Sequence, residues 1–434
     1  MIRRQSPLAN SAIDRLRPCR LRLLTAVLLA AAAAVSSSCQ PRPAASPGSR
    51  VDQWQREPVI RIRIARGRRQ ITLASPSQLR VKIASRPGFA IDAPFDIAWS
   101  AADRWRIVTS DNETRFSAPS LTLTPASGES LRLDGVDYPG SVQLRGSPST
   151  AGFDVINHVP MEQYLPGVLA GELYARWQPA TFMAQAIAAR SYAMVQMSRR
   201  RHRYFDLEST TASQVYHGVT GSAKARNAVR QSRGMVLTYD GNVLPAFYCS
   251  CTGGVGQDAA IAFPNAPDLP PLRGRTQGTW GQASAYYRWG PIQRDRAALA
   301  QRIAAWGYRH RHPIAALKGL RRVAVVRTNA AGRIAQLTIG DDLGQTFRLG
   351  PEAFRHACNH EPEGLRGLSR AQQLPSSQCT VIVSDRTVSF TNGRGFGHGV
   401  GMGQFGAEAM ASAGHSAKAI LAFYYPTAQL VKAY

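Results

Sequence analysis

The stretch from Met161 to Met197 constrains the fold of this chain most, because it contains two helical patterns separated by a proline. Its sequence is MEQYLPGVLAGELYARWQPATFMAQAIAARSYAMVQM. Proline fixes its own φ angle and pushes the preceding residue out of the helical region, so the break falls at Trp177-Gln178-Pro179. We therefore predict a first helix that opens at Pro160 and a second helix from about Pro179 to Met197.

Glu172 lies near the end of the predicted first helix, and most of its neighbours in the sequence are apolar. These neighbours are Leu165, Val168, Leu169, Leu173 and Trp177. Apolar surroundings disfavour the ionised carboxylate and raise the pKa of a carboxyl group, which is what a general acid needs near neutral pH. Glu172 is therefore the candidate catalytic acid. The alternative is a solvated glutamate on an amphipathic helix, which is the commoner state of this residue type.

The predicted second helix is rich in alanine, with small side chains at Ala184, Ala188 and Ala189 that permit close packing against a neighbouring element. Gln185 and Arg190 lie on or near one side of this helix. A buried arginine needs a polar partner, so Arg190 is either a structural anchor or a substrate contact.

Before these helices, apolar residues alternate with polar ones in short segments between Val59 and Val155, and Gly, Pro, Ser and Asp separate the segments. This period of two is typical of antiparallel strands. With 434 residues, the chain is long enough for two or three domains. We predict the α+β class, with a β-rich N-terminal region at 58–150 and a mixed domain at 151–434 that carries an insertion around 265–385.

The first forty residues have the order of an export signal. Arginines precede an apolar run from Leu23 to Val35, and three serines follow it. The run is too short to span a bilayer stably, so we predict a signal at residues 1–38 and an exported protein, either periplasmic or associated with the cell envelope. Cys39 is either a lipid-modified N-terminal cysteine or a residue near an ordinary cleavage site. Residues 39–57, rich in Pro, Ala and Ser at their start, are predicted to be a flexible linker.

Four cysteines remain beyond the linker, namely Cys249, Cys251, Cys358 and Cys379. An even number in an oxidising compartment favours disulfides, either between Cys358 and Cys379 or across the two sets. Neither set has the two-residue spacing of a zinc site, so we predict no metal, and no pattern calls for a cofactor.

The formal net charge of +26 predicts an anionic partner. An exported chain meets lipid headgroups and wall polymers before it meets nucleic acid, and no aromatic platform for single strands accompanies the charge. Basic residues are densest at Arg61–Arg69, Arg199–Arg203 and Tyr308–His312. We expect these clusters to attach the protein to an anionic envelope surface and predict no nucleic acid as partner; the alternative is a merely solvated basic face.

Several blocks of sequence, in a fixed order, resemble the SpoIID/LytB family of sporulation stage II protein D and amidase enhancer. The blocks are residues 157–168 with Glu172, residues 184–193, Asp206, Gln214-Val215-Tyr216 with Gly218, Tyr248-Cys249-Ser250-Cys251-Thr252-Gly253-Gly254, and residues 397–407 followed by Tyr424-Tyr425-Pro426. The resemblance covers the chain from about residue 150 to its end.

This resemblance implies a protein that acts on peptidoglycan as a lytic transglycosylase and cleaves glycan strands that lack stem peptides. The glutamate at the position of Glu172 is the catalytic acid of the family. Hydrolases need two carboxylates around the bond, and Glu162, Asp206 and Glu208 are not placed as a second group by sequence. The rival expectation is a wall-binding module without activity that enhances an N-acetylmuramoyl-L-alanine amidase, which would then be its partner.

Polar residues in these blocks are the candidates for binding the substrate. They are Gln185, Arg190, Gln214, Tyr216, Ser250, His398 and Gln404. Five glycines alternate from Gly393 to Gly401, so backbone there can approach a sugar closely. The Gln404 amide suits sugar hydroxyls, whereas His398 either orients substrate or Glu172 or is satisfied by backbone. Some family members bind zinc through cysteines where this chain has Leu207 and Ser213, so that site is not expected here.

Overall fold

The computed structural model describes residues 49–83, 87–100, 104–147 and 152–434, and these residues combine helices with several β-sheets. The predicted α+β class is therefore confirmed. The predicted export signal and Cys39 lie outside the described residues, so both stay predictions. Within these ranges, no helix is both long enough and apolar enough to cross a lipid bilayer.

The first part of the structure is built from strands whose apolar side chains alternate with polar ones. They are β1 (Val59–Arg68), β2 (Gln70–Ala74), β3 (Leu79–Ile83), β4 (Phe89–Ile91), β5 (Phe95–Ser100), β6 (Arg104–Val108), β7 (Glu113–Ser117), β8 (Ser120–Pro125), β9 (Leu131–Leu133), β10 (Val136–Tyr138), β11 (Ser141–Ser147) and β12 (Gly152–Pro160). In β3, Leu79, Val81 and Ile83 are buried while the residues between them are exposed. Such alternation places one face of each strand against a core.

Two sheets share that core. Strands β10-β9-β2-β5-β6-β7 form one sheet, and the other contains β1-β12-β11-β8-β3-β4 in this order. Leu73 of the first sheet and Val81 of the second belong to one apolar cluster, together with the buried Trp105 and Phe153. The period of two in the sequence thus corresponds to strands with one buried face. Strand β12 pairs with both β1 and β11, so the sheet continues across the predicted boundary at residue 150.

The described end of the predicted linker is bound to the rest of the fold. The Val51 N–H donates to the Gly241 carbonyl at 3.1 Å, and the Val243 N–H donates to the Ser49 carbonyl at 2.7 Å. The Glu57 carboxylate accepts the Glu162 N–H at 3.0 Å. The described residues of the predicted linker are therefore hydrogen-bonded to the rest of the fold.

The helical core follows β12. It contains α1 (Met161–Glu172), α2 (Pro179–Arg199), β13 (Leu207–Glu208), α3 (Ala223–Gln231), β14 (Met235–Tyr239), β15 (Asn242–Val243), β16 (Tyr248–Cys249) and α4 (Ala259–Ala262). The two helices lie where the proline break predicts them, and Glu172 is the last residue of α1. Helix α2 is central because Ala186 and Ala189 pack with α1 and β1, while Ala184 and Ala188 pack with the C-terminal helices.

The insertion has an apolar core of its own. Its elements are β17 (Ile292–Asp295), α5 (Arg296–His310), β18 (Arg322–Thr328), β19 (Ile334–Gly340), β20 (Thr346–Leu349), α6 (Pro351–Cys358), β21 (Thr380–Val383) and β22 (Thr387–Thr391). Ile303, Ile339, Phe354 and Phe390 are buried together in it. The chain then ends with β23 (Met402–Gly403), α7 (Gln404–Ser412), α8 (Ala417–Tyr424) and β24 (Gln429–Lys432).

The predicted disulfides are absent from this structure. Cys249, Cys251, Cys358 and Cys379 are all free thiols, and all four are buried. Burial among apolar groups raises the pKa of the Cys249 thiol to about 12 and that of Cys379 to about 12. Such thiols stay protonated and react slowly, since the thiolate is the reactive form.

A buried ion pair fixes the two central helices to the C-terminal part of the chain. Arg190 donates through Nε and Nη2 to both oxygens of Glu162, at 2.9 and 2.8 Å, and through Nη1 to the Met235 carbonyl at 3.0 Å. The Tyr434 hydroxyl donates to the same carboxylate at 2.6 Å. The side chain of Arg190 is 0% exposed and that of Glu162 is 9% exposed. These bonds give Arg190 the structural role that its sequence position allowed, and its role as a substrate contact stays a prediction.

We predict that Glu162→Gln destabilises the protein by about 3–5 kcal/mol, because it leaves a buried cation without its counter-charge. Asp137→Asn is a matched control, since the Arg132–Asp137 pair has the same two-bond geometry but side chains that are 56% and 39% exposed. Urea unfolding followed by circular dichroism measures both variants. Equal losses from the buried and the exposed pair would contradict this role for Arg190.

Candidate active site

Glu172 ends α1 where the chain turns into extended backbone at Leu173. Its carboxylate accepts the Val215 backbone N–H at 2.9 Å through one oxygen and the Gln404 amide N–H at 3.2 Å through the other. The two donors come from segments 43 and 232 residues away along the chain. The acid and Gln404, both predicted from sequence, are thus in direct contact.

The loop that presents Val215 is fixed by the residues on either side of it. The Gln214 amide accepts the Tyr164 hydroxyl at 3.0 Å and donates to the Ala189 carbonyl at 3.2 Å. The Tyr216 hydroxyl donates to the Asn157 side chain at 3.1 Å. Gln214 and Tyr216 are buried. Both side chains are bonded inside the protein and so have a structural role, and the substrate-binding role predicted for them stays a prediction.

Gln404 is placed by the glycine-rich segment before it. Gly401 has φ +69°, and a Cβ there would lie 2.0 Å from the Phe247 carbonyl oxygen, so only glycine permits this close approach. The next strand pairs in parallel with β16, and the Phe405 N–H donates to the Ser250 carbonyl at 3.1 Å. Ser250 thus contributes its main chain to the site, and a role for its hydroxyl stays a prediction.

Burial raises the pKa of Glu172 above its ordinary value. The hydrogen bonds from Val215 and Gln404 and the charge of His217 act in the opposite direction, but burial outweighs them. A carboxyl group in this state binds its proton more tightly than a solvated glutamate does. It can therefore serve as an acid closer to neutral pH.

Two exposed side chains near the acid were not found by sequence reasoning. His217 follows the Gln214–Tyr216 motif directly, and its position next to that motif was the available signal. Tyr174, two residues after Glu172, is 50% exposed. Its ring packs on Trp177 at 5.1 Å between centroids, and Trp177 packs on Phe405 at 5.0 Å. An aromatic surface thus borders the site.

Gln185 is a polar residue on the buried side of α2. It is 0% exposed, and within the described ranges neither its amide oxygen nor its amide nitrogen has a hydrogen-bond partner. An unpartnered buried amide costs free energy unless something else satisfies it. Its role as a substrate contact stays a prediction.

His398 does not hydrogen-bond to Glu172 in this structure. Its Nδ1 accepts the Val400 N–H at 3.0 Å, and its ring contacts Phe263 and Phe247 edge to face. Burial lowers the pKa of His398 to about 4, so the imidazole is neutral. These contacts favour the backbone-satisfied histidine of the two alternatives, and the ring lines a cavity on the side of α2 that carries Arg199 and Arg200.

Three acidic residues were considered above as a possible second catalytic carboxylate, and each of them forms an ion pair with an arginine. Glu162 pairs with Arg190, Asp206 with Arg61, and Glu208 with Arg63. Leu207 is a buried strand residue, and the Ser213 hydroxyl accepts the Glu208 N–H at 3.2 Å. Across the part of the chain that the structure describes, no group of three or more His, Cys, Asp or Glu side chains could hold a metal ion.

Two family models match this chain. Residues 149–239 match SpoIID, described as Stage II sporulation protein, and residues 272–401 match a Domain of unknown function (DUF8618). The first range contains Glu172, Val215 and the loop around them. The second contains most of the insertion and the glycine-rich segment that precedes Gln404.

Similar proteins are known from several bacteria. The Amidase enhancer of Bacillus subtilis (strain 168) is 27% identical over 334 residues, which cover 71% of this chain and 46% of that protein. An uncharacterized protein of Brachyspira hyodysenteriae (strain ATCC 49526 / WA1) is 27% identical over 316 residues, covering 70% and 74%. Stage II sporulation protein D of Bacillus amyloliquefaciens is 27% identical over 286 residues, covering 62% and 74%.

This chain thus spans 46% of the length of the Amidase enhancer. The acid, its backbone donor and the helices that hold them lie inside the matched SpoIID range. The chain thus contains a SpoIID domain at residues 149–239 and is similar to proteins named Amidase enhancer and Stage II sporulation protein D.

Proposed function

We propose that this protein is exported and cleaves peptidoglycan glycan strands as a lytic transglycosylase, with Glu172 as its acid and base. The observation that carries the proposal is a mostly buried carboxyl group of raised pKa, held from two sides by Val215 and Gln404. The SpoIID match and the similarity to an Amidase enhancer support the choice of peptidoglycan as substrate.

In the proposed reaction, Glu172 first gives its proton to the oxygen between muramic acid and glucosamine, and the bond from that oxygen to C1 of muramic acid breaks. The resulting carboxylate then takes the proton of the muramic acid 6-hydroxyl, and the oxygen of that hydroxyl bonds to C1 of the same sugar. The products are an anhydro-muramic end and a free glucosamine hydroxyl, and no water is consumed. The N–H groups of Val215 and Gln404 stabilise the carboxylate between the two steps.

Transglycosylation requires one such carboxyl group, whereas hydrolysis requires a second that activates water or forms a covalent sugar. The pairing of Glu162, Asp206 and Glu208 with arginines supports the one-carboxyl reaction. The exposed ring of Tyr174 supports a saccharide substrate, since aromatic faces pack well on sugar rings.

The second candidate is a wall-binding protein without activity that enhances an N-acetylmuramoyl-L-alanine amidase. The similarity to a protein named Amidase enhancer favours it. In this case Glu172 would hold the site together, since its carboxylate connects α1, the Val215 loop and Gln404. The partner would be a cell-wall amidase.

We predict that Glu172→Gln abolishes the release of anhydro-muramic ends from peptide-free glycan strands. The amide is nearly isosteric with the carboxyl but cannot supply the proton. The expected loss exceeds about 100-fold, the usual contribution of general acid catalysis. Mass spectrometry of the products measures it, and Glu129→Gln, at an exposed glutamate of the β-rich region, is the matched control.

The same experiment separates the two candidates. Anhydro products from the parent but not from Glu172→Gln support the transglycosylase. Equal yields from both would mean that a residue other than Glu172 is the catalytic acid. A parent without products that nevertheless accelerates a purified amidase on intact sacculi would replace the proposal with the enhancer role.

We predict that Gln404→Met moves the alkaline limb of the pH–rate profile to higher pH. The Gln404 hydrogen bond stabilises the ionised form of Glu172 and so lowers its pKa. Removing the donor raises that pKa, and the protonated acid persists to higher pH. An unchanged limb with a lower rate at every pH would mean that Gln404 positions substrate and not the acid.

We predict that Glu172→Gln becomes more stable relative to the parent as pH rises. A carboxyl group with a raised folded-state pKa stabilises the fold fully below its unfolded pKa, and this contribution is lost as pH rises through the folded pKa. Glutamine does not ionise, so the difference in Tm should grow from acid to mildly alkaline pH. A difference that is independent of pH would indicate a solvated Glu172.

A further inference from the structure

A cavity lies where two segments of the chain flank the β17–β22 pair. Its volume is about 420 Å³, within the range of about 300–1,000 Å³ that is usual for small-molecule sites. Residues 288–291, which precede β17, and residues 391–394, at the end of β22, line it. The second segment begins the glycine-rich stretch that leads to Gln404, and neither segment takes part in the proposed reaction. We call this space the arginine cavity.

The two segments continue the antiparallel pairing of the strands beside them. Trp289 is opposite Gly393 in the same register that pairs β17 with β22. These two residues exchange both backbone hydrogen bonds, at 2.8 and 2.9 Å. One residue further along each segment, this register brings Arg288 opposite Arg394.

This arrangement places two positive charges across from each other. Like charges directly opposite in an antiparallel pair are destabilising. Arg288 and Arg394 both line the arginine cavity, and neither forms an ion pair with another described residue. The described lining of the cavity also contains no Asp or Glu. An anion held between the two guanidinium groups would therefore remove a repulsion that the described residues leave uncompensated.

The backbone around the two arginines is held by hydrogen bonds of its own. The Arg394 N–H donates to the Gln378 carbonyl at 2.9 Å, and the Arg394 carbonyl accepts the Ser376 hydroxyl at 2.6 Å. On the other segment, the Trp289 indole N–H donates to the Gly395 carbonyl at 2.9 Å. The arginines thus project from a preformed frame, so a ligand does not have to order the backbone when it binds.

The neighbouring pair of residues leaves space and adds a further donor. The same register places Gly290 opposite Asn392, and both residues line the cavity. Gly290 has no side chain, and its φ of +106° is one that other residues rarely adopt. The Asn392 side chain makes no hydrogen bond to another described residue, so its amide N–H groups can bind a ligand.

Two guanidinium groups and one amide favour a particular kind of anion. A carboxylate offers one negative charge and two oxygens. A phosphomonoester offers between one and two negative charges near neutral pH and three terminal oxygens, and guanidinium groups bind these oxygens in pairs. A phosphodiester has a single charge and two free oxygens. The charge and the acceptors of a phosphomonoester therefore match this cavity best.

We propose that the arginine cavity binds a phosphomonoester, with the phosphate between Arg288 and Arg394 and one phosphate oxygen on the Asn392 amide. The rest of the cavity accommodates a small group attached to the phosphate, such as a sugar. The same chemistry serves free phosphate, a sugar phosphate and a lipid headgroup, and the choice of probes distinguishes these sources. The site is independent of the proposed transglycosylase reaction.

Binding is measured by isothermal titration calorimetry on the full-length protein in phosphate-free buffer of low salt. The probes are inorganic phosphate, glucose 6-phosphate and vesicles that contain phosphatidic acid, which present the phosphate free, on a sugar and on a lipid. The test variants are Arg288→Gln and Arg394→Gln. The control variant combines Arg309→Gln with Arg348→Gln, two exposed arginines of the insertion that do not line the cavity.

We expect each test variant to bind glucose 6-phosphate roughly ten-fold more weakly than the parent, because a charged hydrogen-bond partner is lost. The control should stay within about two-fold of the parent. Glucose 6-sulfate, which has the same shape but a single charge, should bind the parent more weakly than glucose 6-phosphate. In phosphate-free buffer, Arg288→Gln should raise Tm, since it removes the like-charge pair, and added phosphate should raise the Tm of the parent more than that of this variant.

Equal affinities of the test and control variants for all three phosphate probes would overturn the proposal. Binding of glucose 6-sulfate or acetate as tightly as glucose 6-phosphate would overturn the choice of a phosphomonoester. Weaker binding by the test variants supports the site whichever probe binds the parent best, and the ranking of the probes identifies what carries the phosphate. Arg288 is exposed, so Arg288→Gln tests the cavity even if Arg394→Gln does not fold. Anhydro products report on the transglycosylase separately.

Discussion

The candidate site depends on the requirement that a buried carboxyl group must have hydrogen-bond donors. Glu172 meets it with one backbone N–H from Val215 and one amide N–H from Gln404, and neither donor belongs to its own helix. The acid therefore exists in this state only when α1, the Val215 loop and the start of α7 are assembled together. Much of the surrounding structure, from the bonded Gln214 to the close approach at Gly401, keeps these three segments in place.

The insertion also takes part in this assembly. Arg333, at the start of the segment leading into β19, is 1% exposed and donates to the Thr252 and Val255 carbonyls at 2.8 Å each. A Cβ at Gly399 would lie 2.3 Å from its guanidinium carbon. An arginine of the insertion thus supports the glycine-rich segment that ends at Gln404. The insertion therefore contributes to this part of the fold, because Arg333 packs against the glycine-rich segment that precedes Gln404.

The parts of the site that sequence predicted are those with a local signal. The break at Pro179 predicted two separate helices, and the apolar neighbours of Glu172 in the sequence predicted an acid of raised pKa. The roles of Gln214 and Arg190 could not be predicted, since a polar residue in a motif has the same letter whether it faces a ligand or a buried partner. Their partners, Tyr164 and Glu162, are 50 and 28 residues distant. Only the fold brings these partners together.

The neutral state of His398 matters for how the site responds to pH. Its neighbours include the ionised pair of Glu352 and Arg355 as well as Arg333, yet burial dominates and keeps its pKa at about 4. The neutral ring leaves Nδ1 free to accept the Val400 N–H. This bond belongs to the loop that precedes Gln404, so the placement of that loop does not need a charged imidazole. The pH dependence predicted for the site is therefore assigned to Glu172, whose pKa burial raises.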